Sequence, residues 1–391
     1  MKSPGRLKSN LGALLVCVFL IGMGEELWSK FIPPYLLALG GTAWMAAAYG
    51  TLRDFLDAVY SYPGGWIHDR LGGRRALFLF TGLSMAGYLI YWASPNGWVF
   101  LIGACFALAW TSFSLPAMFD IVAENLPSAW RSWGFSLQAI LKRVPLVAGP
   151  VLGGWLIARA GLRDGFRWGL GASLLLALAS LWVLKRYYRE EKKPKADGQT
   201  LTGLWRRMKV DLKSLLAADC LIRLAEGIPD VFVVLYVMGP LGHSALEFGW
   251  LMALQMATSI LLYLPVARWT RGLNRKPWVL LTFCFFALYP VAVVWAPNGF
   301  WLAAAFVIGG AREIGEPSRK AMIADLAGAA ARGRVVGLYY LVRGLAVFPA
   351  SLLGGWLWVR DPKWPFEAAF GFGILGFLFF LWRGRDLKTL Q

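Results

Sequence analysis

Charged residues are scarce in this chain of 391 residues, and histidine is nearly absent. Only 16% of the residues are charged and 58% are hydrophobic, whereas a soluble domain has about a quarter charged residues. The composition therefore excludes an ordinary soluble protein. Two histidines cannot build a histidine metal site, and four cysteines without a Cys-x-x-Cys spacing support neither a disulfide framework nor a zinc site.

The motifs of nucleotide and acyl chemistry are missing as well. Neither a P-loop nor a nucleophile elbow occurs in the sequence. We therefore expect no enzymatic activity, no cofactor and no metal, and we expect that this chain alone does not drive transport with ATP.

Long apolar runs recur along the whole length, and a membrane-spanning helix needs ~20 mainly apolar residues. We predict twelve spans, at 11–38, 43–67, 76–94, 98–124, 132–158, 168–186, 215–239, 246–269, 278–296, 300–326, 335–359 and 366–383. This predicts an all-α polytopic membrane protein with two pseudo-symmetric six-helix bundles, 1–186 and 215–391, joined by a cytoplasmic basic linker at 187–214. No small-x-small cleavage site follows the first apolar run, so we expect it to be retained as a span.

The net charge of +18 has a topological explanation. Lysine and arginine concentrate in alternate loops, which predicts that both termini and the linker are cytoplasmic. The loop at 159–167, which carries Arg159, Arg163 and Arg167, is an exception to this pattern. We expect a multi-pass monomer of the plasma (inner) membrane that contacts the lipid bilayer and does not bind nucleic acid.

The two halves of the sequence repeat each other. "WASPNGWVFLIGA" (92–104) resembles "WAPNGFWLAAAF" (295–306), and "GGWLIAR" (153–159) returns as "GGWLWVR" (354–360). An internal duplication of six spans is typical of transporters, whose substrate site is expected near the middle of the membrane.

Two further stretches resemble a known family. "GGWIHDRLGGRRALF" (64–78) is similar to the loop motif G-x-x-x-D-R-x-G-R-R of the major facilitator superfamily, and "AGPVLGG" (148–154) resembles the antiporter motif of its drug exporters. The resemblance implies secondary transport by alternating access, with a slight preference for export. It also implies a latch on the cytoplasmic side, for which the candidate residues are Gly65, Asp69, Arg70, Arg74, Asp120 and Glu124.

Ionisable residues lie in the middle of several predicted spans, as "GEELWSKFIPPY" (24–35) illustrates. A charge at the bilayer centre costs ~2.5–3.5 kcal/mol, so these side chains are expected to face a water-filled cavity or one another. The candidates for substrate and proton binding are Glu25, Glu26, Arg53, Asp54, Asp57, Lys142, Arg143, Arg223, Glu226, Asp230, Arg312, Glu313, Glu316 and Arg343.

Helical spacing and helix breaks refine this prediction. Glu226 and Asp230 are four residues apart, as are Arg312 and Glu316, so each pair is expected on one helix face. Proline and glycine are predicted to break spans one and seven beside their acidic residues. Glu25, Asp54, Glu226 and Glu313 are the candidate proton carriers, and structural ion pairing is the alternative for each charged residue.

The sequence predicts a secondary active transporter of a small polar, charged or zwitterionic solute, driven by the proton gradient. Alternatives are a uniporter or an amphiphile flippase of the same fold. A membrane sensor or assembly partner that transports nothing is the alternative of another class.

Overall fold

The computed structural model describes residues 4–110, 128–188, 205, 208–269, 275–326 and 332–384. All regular elements in these residues are helical, as the apolar runs predict. The first half contains α1 (Pro4–Glu26), α2 (Ile32–Ala38), α3 (Ala43–Leu71), α4 (Gly73–Ala93), α5 (Gly97–Ala107) and α6 (Ser128–Tyr187). The second half contains α7 (Val210–Met238), α8 (Ala245–Trp269), α9 (Lys276–Val294), α10 (Gly299–Ala311), α11 (Glu316–Leu326), α12 (Arg332–Val347), α13 (Ala350–Trp358) and α14 (Trp364–Arg383).

Seven helical segments of the described residues are long and apolar enough to cross a membrane, and α5 and α10 are shorter apolar helices. The chain divides into two compact units. The first comprises Met1–Ala196 and Val237–Ala253, and the second comprises Asp197–Tyr236 and Leu254–Gln391. The division at 187–214 stays a prediction, because the described part of the chain does not include most of that linker.

Each unit has its own apolar core. In the first, side chains of α1, α4 and the end of α6 pack together, with Leu14, Leu77 and Leu184 fully buried. In the second, α7, α9, α11 and α12 supply a larger cluster that includes the fully buried Leu212 and Phe283. Each unit is thus held together by apolar packing between its own helices.

Glycine permits the closest helix contacts, and it does so at equivalent points of the repeat. A Cβ atom on Gly153 in α6 would lie 1.9 Å from the carbonyl oxygen of Leu27. Its counterpart Gly354, in α13, faces the carbonyl oxygen of Ile228 in α7, where a Cβ atom would lie 2.1 Å away. In the first half, the stretch that resembles the antiporter motif therefore packs against the backbone of the first span.

The helix breaks agree with the prediction in span one and differ elsewhere. α1 ends at Glu26, and a short 3-10 helix at Ser29–Phe31 leads into α2. The predicted break in span seven is wrong, because α7 continues through Pro229. Transmembrane helices tolerate proline, and α7 also contacts α13 near this residue, where the Ser351 hydroxyl donates to the Gly227 carbonyl at 3.3 Å.

Four other spans differ from their predicted form. Span ten is two helices, α10 and α11, separated by a turn at 312–315, and span eleven is divided between α12 and α13. Spans five and six join at Gly161, whose φ of 81° interrupts the helix, instead of being separated by a loop at 159–167. Glycine suits this joint because it adopts positive φ without steric cost.

Candidate functional site

A network of charged side chains occupies the interior of the second unit. On α7, Asp219, Arg223 and Glu226 lie three to four residues apart, and this spacing puts them on one face of the helix. The Arg223 guanidinium lies 2.5 Å from the Glu226 carboxylate and 3.8 Å from that of Asp219. One helix therefore presents acid, base and acid in a row.

The first turn of α11, directly after the turn at 312–315, supplies the facing side of the network. Arg223 donates to Oε1 of Glu316, the first residue of α11, at 2.7 Å. Arg319, one turn later, donates two hydrogen bonds to the same carboxylate, at 3.0 and 2.7 Å. Paired guanidinium donors fix a carboxylate in both distance and direction, so Glu316 is held between two arginines.

The turn itself is anchored to a neighbouring helix. Its last residue, Gly315, donates its backbone N–H to the Thr282 hydroxyl in α9 at 2.6 Å. A Cβ atom on Gly315 would lie 2.1 Å from the carbonyl oxygen of Trp278. The break in span ten is therefore a packed feature that brings Glu316 and Arg319 to α7.

Asp219 is the most connected acid of the network. Its Oδ2 atom accepts hydrogen bonds from Arg319, from the Tyr339 hydroxyl at 3.0 Å and from Arg343 at 3.3 Å. The Asp219 side chain is only 1% exposed. A carboxylate this deep is stable only with several donors around it, and Asp219 joins α7 to α11 and α12 through them.

The other end of the network is looser. Arg312 lies 4.0 Å from Glu226, whose side chain is 32% exposed. The Arg312 guanidinium is 5.1 Å from the centre of the Phe286 ring and 4.3 Å from that of Tyr289, a geometry that attracts cations to aromatic faces. Glu226 and Arg312 therefore form a pair that can exchange partners, in contrast to the buried pair around Asp219.

The sequence predicted part of this network. Arg223, Glu226, Arg312, Glu316 and Arg343 are brought together. The expectation that Arg312 and Glu316 share one helix face is wrong, because the turn separates them.

Three members of the network were missed, and two of them had a visible signal. Asp219, Arg319 and Tyr339 lie nearer the ends of their predicted spans than the central candidates do. Asp219 stands four residues before Arg223, and Arg319 stands three residues after Glu316, which is the spacing of paired helical charges. Tyr339 had no comparable signal. Of the remaining candidates, Asp230 is exposed and Glu313 is half-buried in the turn.

The first unit carries a smaller polar site at the break of span one. The Tyr88 hydroxyl donates to the Glu25 carboxylate at 3.1 Å, and the Ser29 hydroxyl donates to Glu26 at 3.3 Å. The Ser173 hydroxyl donates to the Gly24 carbonyl at 2.7 Å and accepts from the indole N–H of Trp28 at 2.9 Å. These bonds fix the broken backbone beside the two glutamates.

The other predicted residues of the first half do not join this site through the bonds described above. Arg53 and its neighbour Asp54 form an ion pair at 3.0 Å within α3, where Asp57 is exposed. Lys142 is exposed and Arg143 is half-buried on α6.

The stretch predicted as a cytoplasmic latch lies at the junction of α3 and α4. Gly65, Asp69 and Arg70 belong to the last turns of α3, and Gly72, with a φ of 85°, separates the two helices. Arg74 donates to the Lys185 carbonyl at 3.1 Å. Asp120 and Glu124 lie outside the described residues, so the latch stays a prediction.

The sequence matches the Major Facilitator Superfamily over residues 14–222 and again over 215–390. The chain belongs to this superfamily. The predicted recognition is thereby confirmed, as is the fold class, an all-α polytopic membrane protein with the twelve-helix fold of this superfamily. The chain is 28% identical over 369 residues to the multidrug resistance protein MdtH of Salmonella paratyphi B (strain ATCC BAA-1250 / SPB7), with 88% of this chain and 87% of that protein aligned.

Solved structures show the same fold at lower identity. A peptide transporter POT in complex with sulfate superposes with a TM-score of 0.76 and 16% identity, over 96% of this chain and 93% of the other. A bacterial homologue of the iron transporter ferroportin, in an inward-facing state, superposes with a TM-score of 0.77 and 15% identity, over 98% of this chain and all of the other (100%). The chain is therefore a multi-pass membrane protein of a transporter superfamily.

Proposed function

We propose that this protein is a secondary active transporter that moves a small polar, charged or zwitterionic solute by alternating access, coupled to protons and directed towards export. The observation that supports this most strongly is the loose pair of Glu226 and Arg312, 4.0 Å apart beside the break in span ten. The side chains of Glu226 and Arg312 are 32% and 14% exposed, and a partly exposed acid and base that face each other can each bind a ligand group of opposite charge.

The rest of the network keeps this pair in place. Glu226 is also bound by Arg223, which in turn is bound by Glu316. A solute carboxylate can bind Arg312, and a proton can bind Glu226. Either event changes the electrostatic environment of the other charged residues, which stay within the network. We infer that this interaction between charged groups links solute binding to proton binding.

Glu25 is the proposed proton site of the first unit. Its carboxylate is half-buried beside a helix break and is hydrogen-bonded to the Tyr88 hydroxyl. Ionisable residues inside membrane spans commonly mark proton pathways, and this setting makes Glu25 a candidate for that role. The proposed transport activity also fits the names of two similar proteins. One is a multidrug resistance protein, and the other is a peptide transporter.

The test is flux into proteoliposomes that contain the purified full chain. A zwitterionic dipeptide, an organic anion and a lipophilic cation are offered with and without an imposed pH gradient, and a dye inside the vesicles reports protons. We expect solute movement that depends on the gradient for at least one probe. Movement that ignores the gradient would indicate a uniporter, and no movement of solute or protons would contradict the proposal.

Variants locate the coupling. Glu226→Gln and Glu25→Gln are expected to lower gradient-driven flux about tenfold or more, in the range of a lost proton-transfer group. Glu367→Gln, the same change on an exposed residue in the first turn of α14, serves as the control and is expected to leave flux unchanged. Unaltered coupling in both central variants would show that these acids do not bind the transported proton.

A further inference from the structure

Two pairs of tryptophan and arginine occupy equivalent positions of the internal repeat. Arg159 follows Trp155 by four residues in "GGWLIAR", and Arg360 follows Trp356 by four in "GGWLWVR". In both pairs the guanidinium lies over the indole, with a distance from Cζ to the ring centre of 5.5 Å in the first and 3.5 Å in the second. The ends of spans five and eleven therefore carry the same arrangement.

Neither arginine has a carboxylate partner among the described residues. Arg360 uses one N–H to reach the Trp356 carbonyl at 2.9 Å, which leaves its other donors available. The indoles of Trp155 and Trp356 are 47% and 45% exposed. Exposed tryptophan at the end of a membrane helix is typical of the boundary between acyl chains and headgroups, so both cations lie at that boundary.

A third cation belongs to the second of these pairs. Lys363 lies three residues after Arg360, and its ammonium group is 5.8 Å from the ring centre of Trp295. Hydrogen bonds order the turn that presents both cations. The backbone N–H of Lys363 donates to the Asp361 carboxylate at 2.7 Å, and the backbone N–H of Arg360 donates to the Leu357 carbonyl at 3.0 Å. The turn thus holds two bases beside two tryptophans.

Membrane topology does not explain these bases. They follow odd-numbered spans, on the side that the distribution of basic loops predicts to be non-cytoplasmic, where lysine and arginine are disfavoured. Their neighbour Arg163 has a structural use, because its Nε–H donates to the Ala38 carbonyl at the end of α2 at 3.1 Å. Within the described part of the chain, Arg159 makes no such bond and instead lies over the Trp155 ring.

We propose that these two surfaces bind the headgroups of anionic phospholipids. The first surface is Trp155 with Arg159, and the second is Trp295 and Trp356 with Arg360 and Lys363. A guanidinium offers two parallel N–H donors that match a phosphate, and the indole packs against the glycerol and the first methylenes below it. Charge complementarity selects an anionic lipid over a zwitterionic one, whose own ammonium group opposes the arginine.

The experiment uses the purified full chain and native mass spectrometry, with titrated dioleoyl-phosphatidylglycerol and dioleoyl-phosphatidylcholine as probes. We expect the wild type to retain phosphatidylglycerol preferentially. Arg159→Gln and Arg360→Gln should each weaken its binding about fivefold, because a basic residue near an anionic headgroup contributes roughly that factor. The double variant should show this weakening at both sites.

Arg163→Gln removes the same charge from a neighbouring position that contacts a carbonyl instead of an indole, so phosphatidylglycerol binding should persist in this control. Equal retention of both lipids by the wild type, or undiminished phosphatidylglycerol in the double variant, would overturn the proposal. Displacement of the lipid by inorganic phosphate would also overturn it, because the surfaces would then bind a soluble anion. Lipid binding is measured without solute flux, so the result does not depend on the proposed transport activity.

Discussion

The carboxylate of Asp219 and the guanidinium of Arg319, 100 positions apart in the sequence, form an ion pair in the interior of the second unit. Their side chains are 1% and 2% exposed. Neither partner can be withdrawn without leaving a charge in a poorly solvated place. The pair is therefore a fixed connection between α7 and α11, which distinguishes it from the looser pair of Glu226 and Arg312 at the other end of the same network.

Replacing Asp219 by Asn should destabilise the protein strongly. Arg319 would keep Glu316 but lose its second carboxylate, and Tyr339 and Arg343 would lose a charged acceptor. We expect a loss of about 3–5 kcal/mol, as for other buried pairs that lose one partner. Thermal unfolding in detergent measures this, with Glu367→Asp as a surface control. A melting temperature equal to that of the wild type would contradict the fixed connection.

Alanine at Gly153 or Gly354 should also destabilise, because the added methyl would overlap a carbonyl oxygen of span one or span seven. Overpacking of this kind costs about 1–3 kcal/mol. Gly171 in α6 provides the control, since a Cβ atom there has no neighbour within 4 Å among the described residues, and alanine should stabilise that helix by about 0.5–1 kcal/mol. Opposite signs in the two classes of variant are the expected result, and equal melting temperatures would argue against the close packing.

Removing the Ser173 hydroxyl should loosen the break in span one. Ser173→Ala leaves the Trp28 indole N–H and the Gly24 carbonyl without this partner, and an unsatisfied buried polar group costs about 1–3 kcal/mol. Ser173→Thr, which keeps the hydroxyl, is the comparison. Hydrogen exchange of the backbone at 24–31 reports the effect locally, and unchanged exchange in the alanine variant would show that the break is held by other contacts.

Arg312→Lys tests whether shape as well as charge matters at the loose pair. Lysine keeps the charge but loses the planar stacking on Tyr289 and the Nε–H bond to the Gly309 carbonyl at 2.9 Å, so the two side chains are not equivalent here. We expect solute flux to fall about tenfold, equivalent to about 1.4 kcal/mol, with little change in melting temperature. Arg383→Lys, beside the exposed Trp382, should retain full flux. Normal flux in the Arg312 variant would remove this arginine from the proposed site.

The apolar runs and the repeat were sufficient to predict the fold, because a bilayer restricts spanning segments to a few structures. The position of Glu25 beside a helix break followed from the sequence too, since Gly24 and two prolines surround it. The mistaken break at Pro229 shows the limit of this reasoning, because a proline inside a membrane helix does not always interrupt it, and α7 continues through this residue.

The centre of the charge network was harder to predict for a related reason. Distance from the span ends is a poor measure of depth here, because the turn at 312–315 changes which residues are deep. Arg319 consequently reaches Asp219 on α7, although neither residue stands at the predicted midpoint of its span. Pairing along each helix was visible in the spacing, whereas pairing between helices required the packing of Gly315 against α9.

Gly153 and Gly354 press against main-chain atoms, and main-chain atoms are the same whatever residue bears them. After duplication of one bundle, almost every side chain on the first helix of each copy could thus diverge. The contact between the glycine and the main chain of that helix would stay intact. One descendant now holds a glutamate next to a tyrosine, and the other holds an array of arginines and acids. This close contact explains how the two halves of a duplicated gene could acquire different polar sites on the same backbone scaffold.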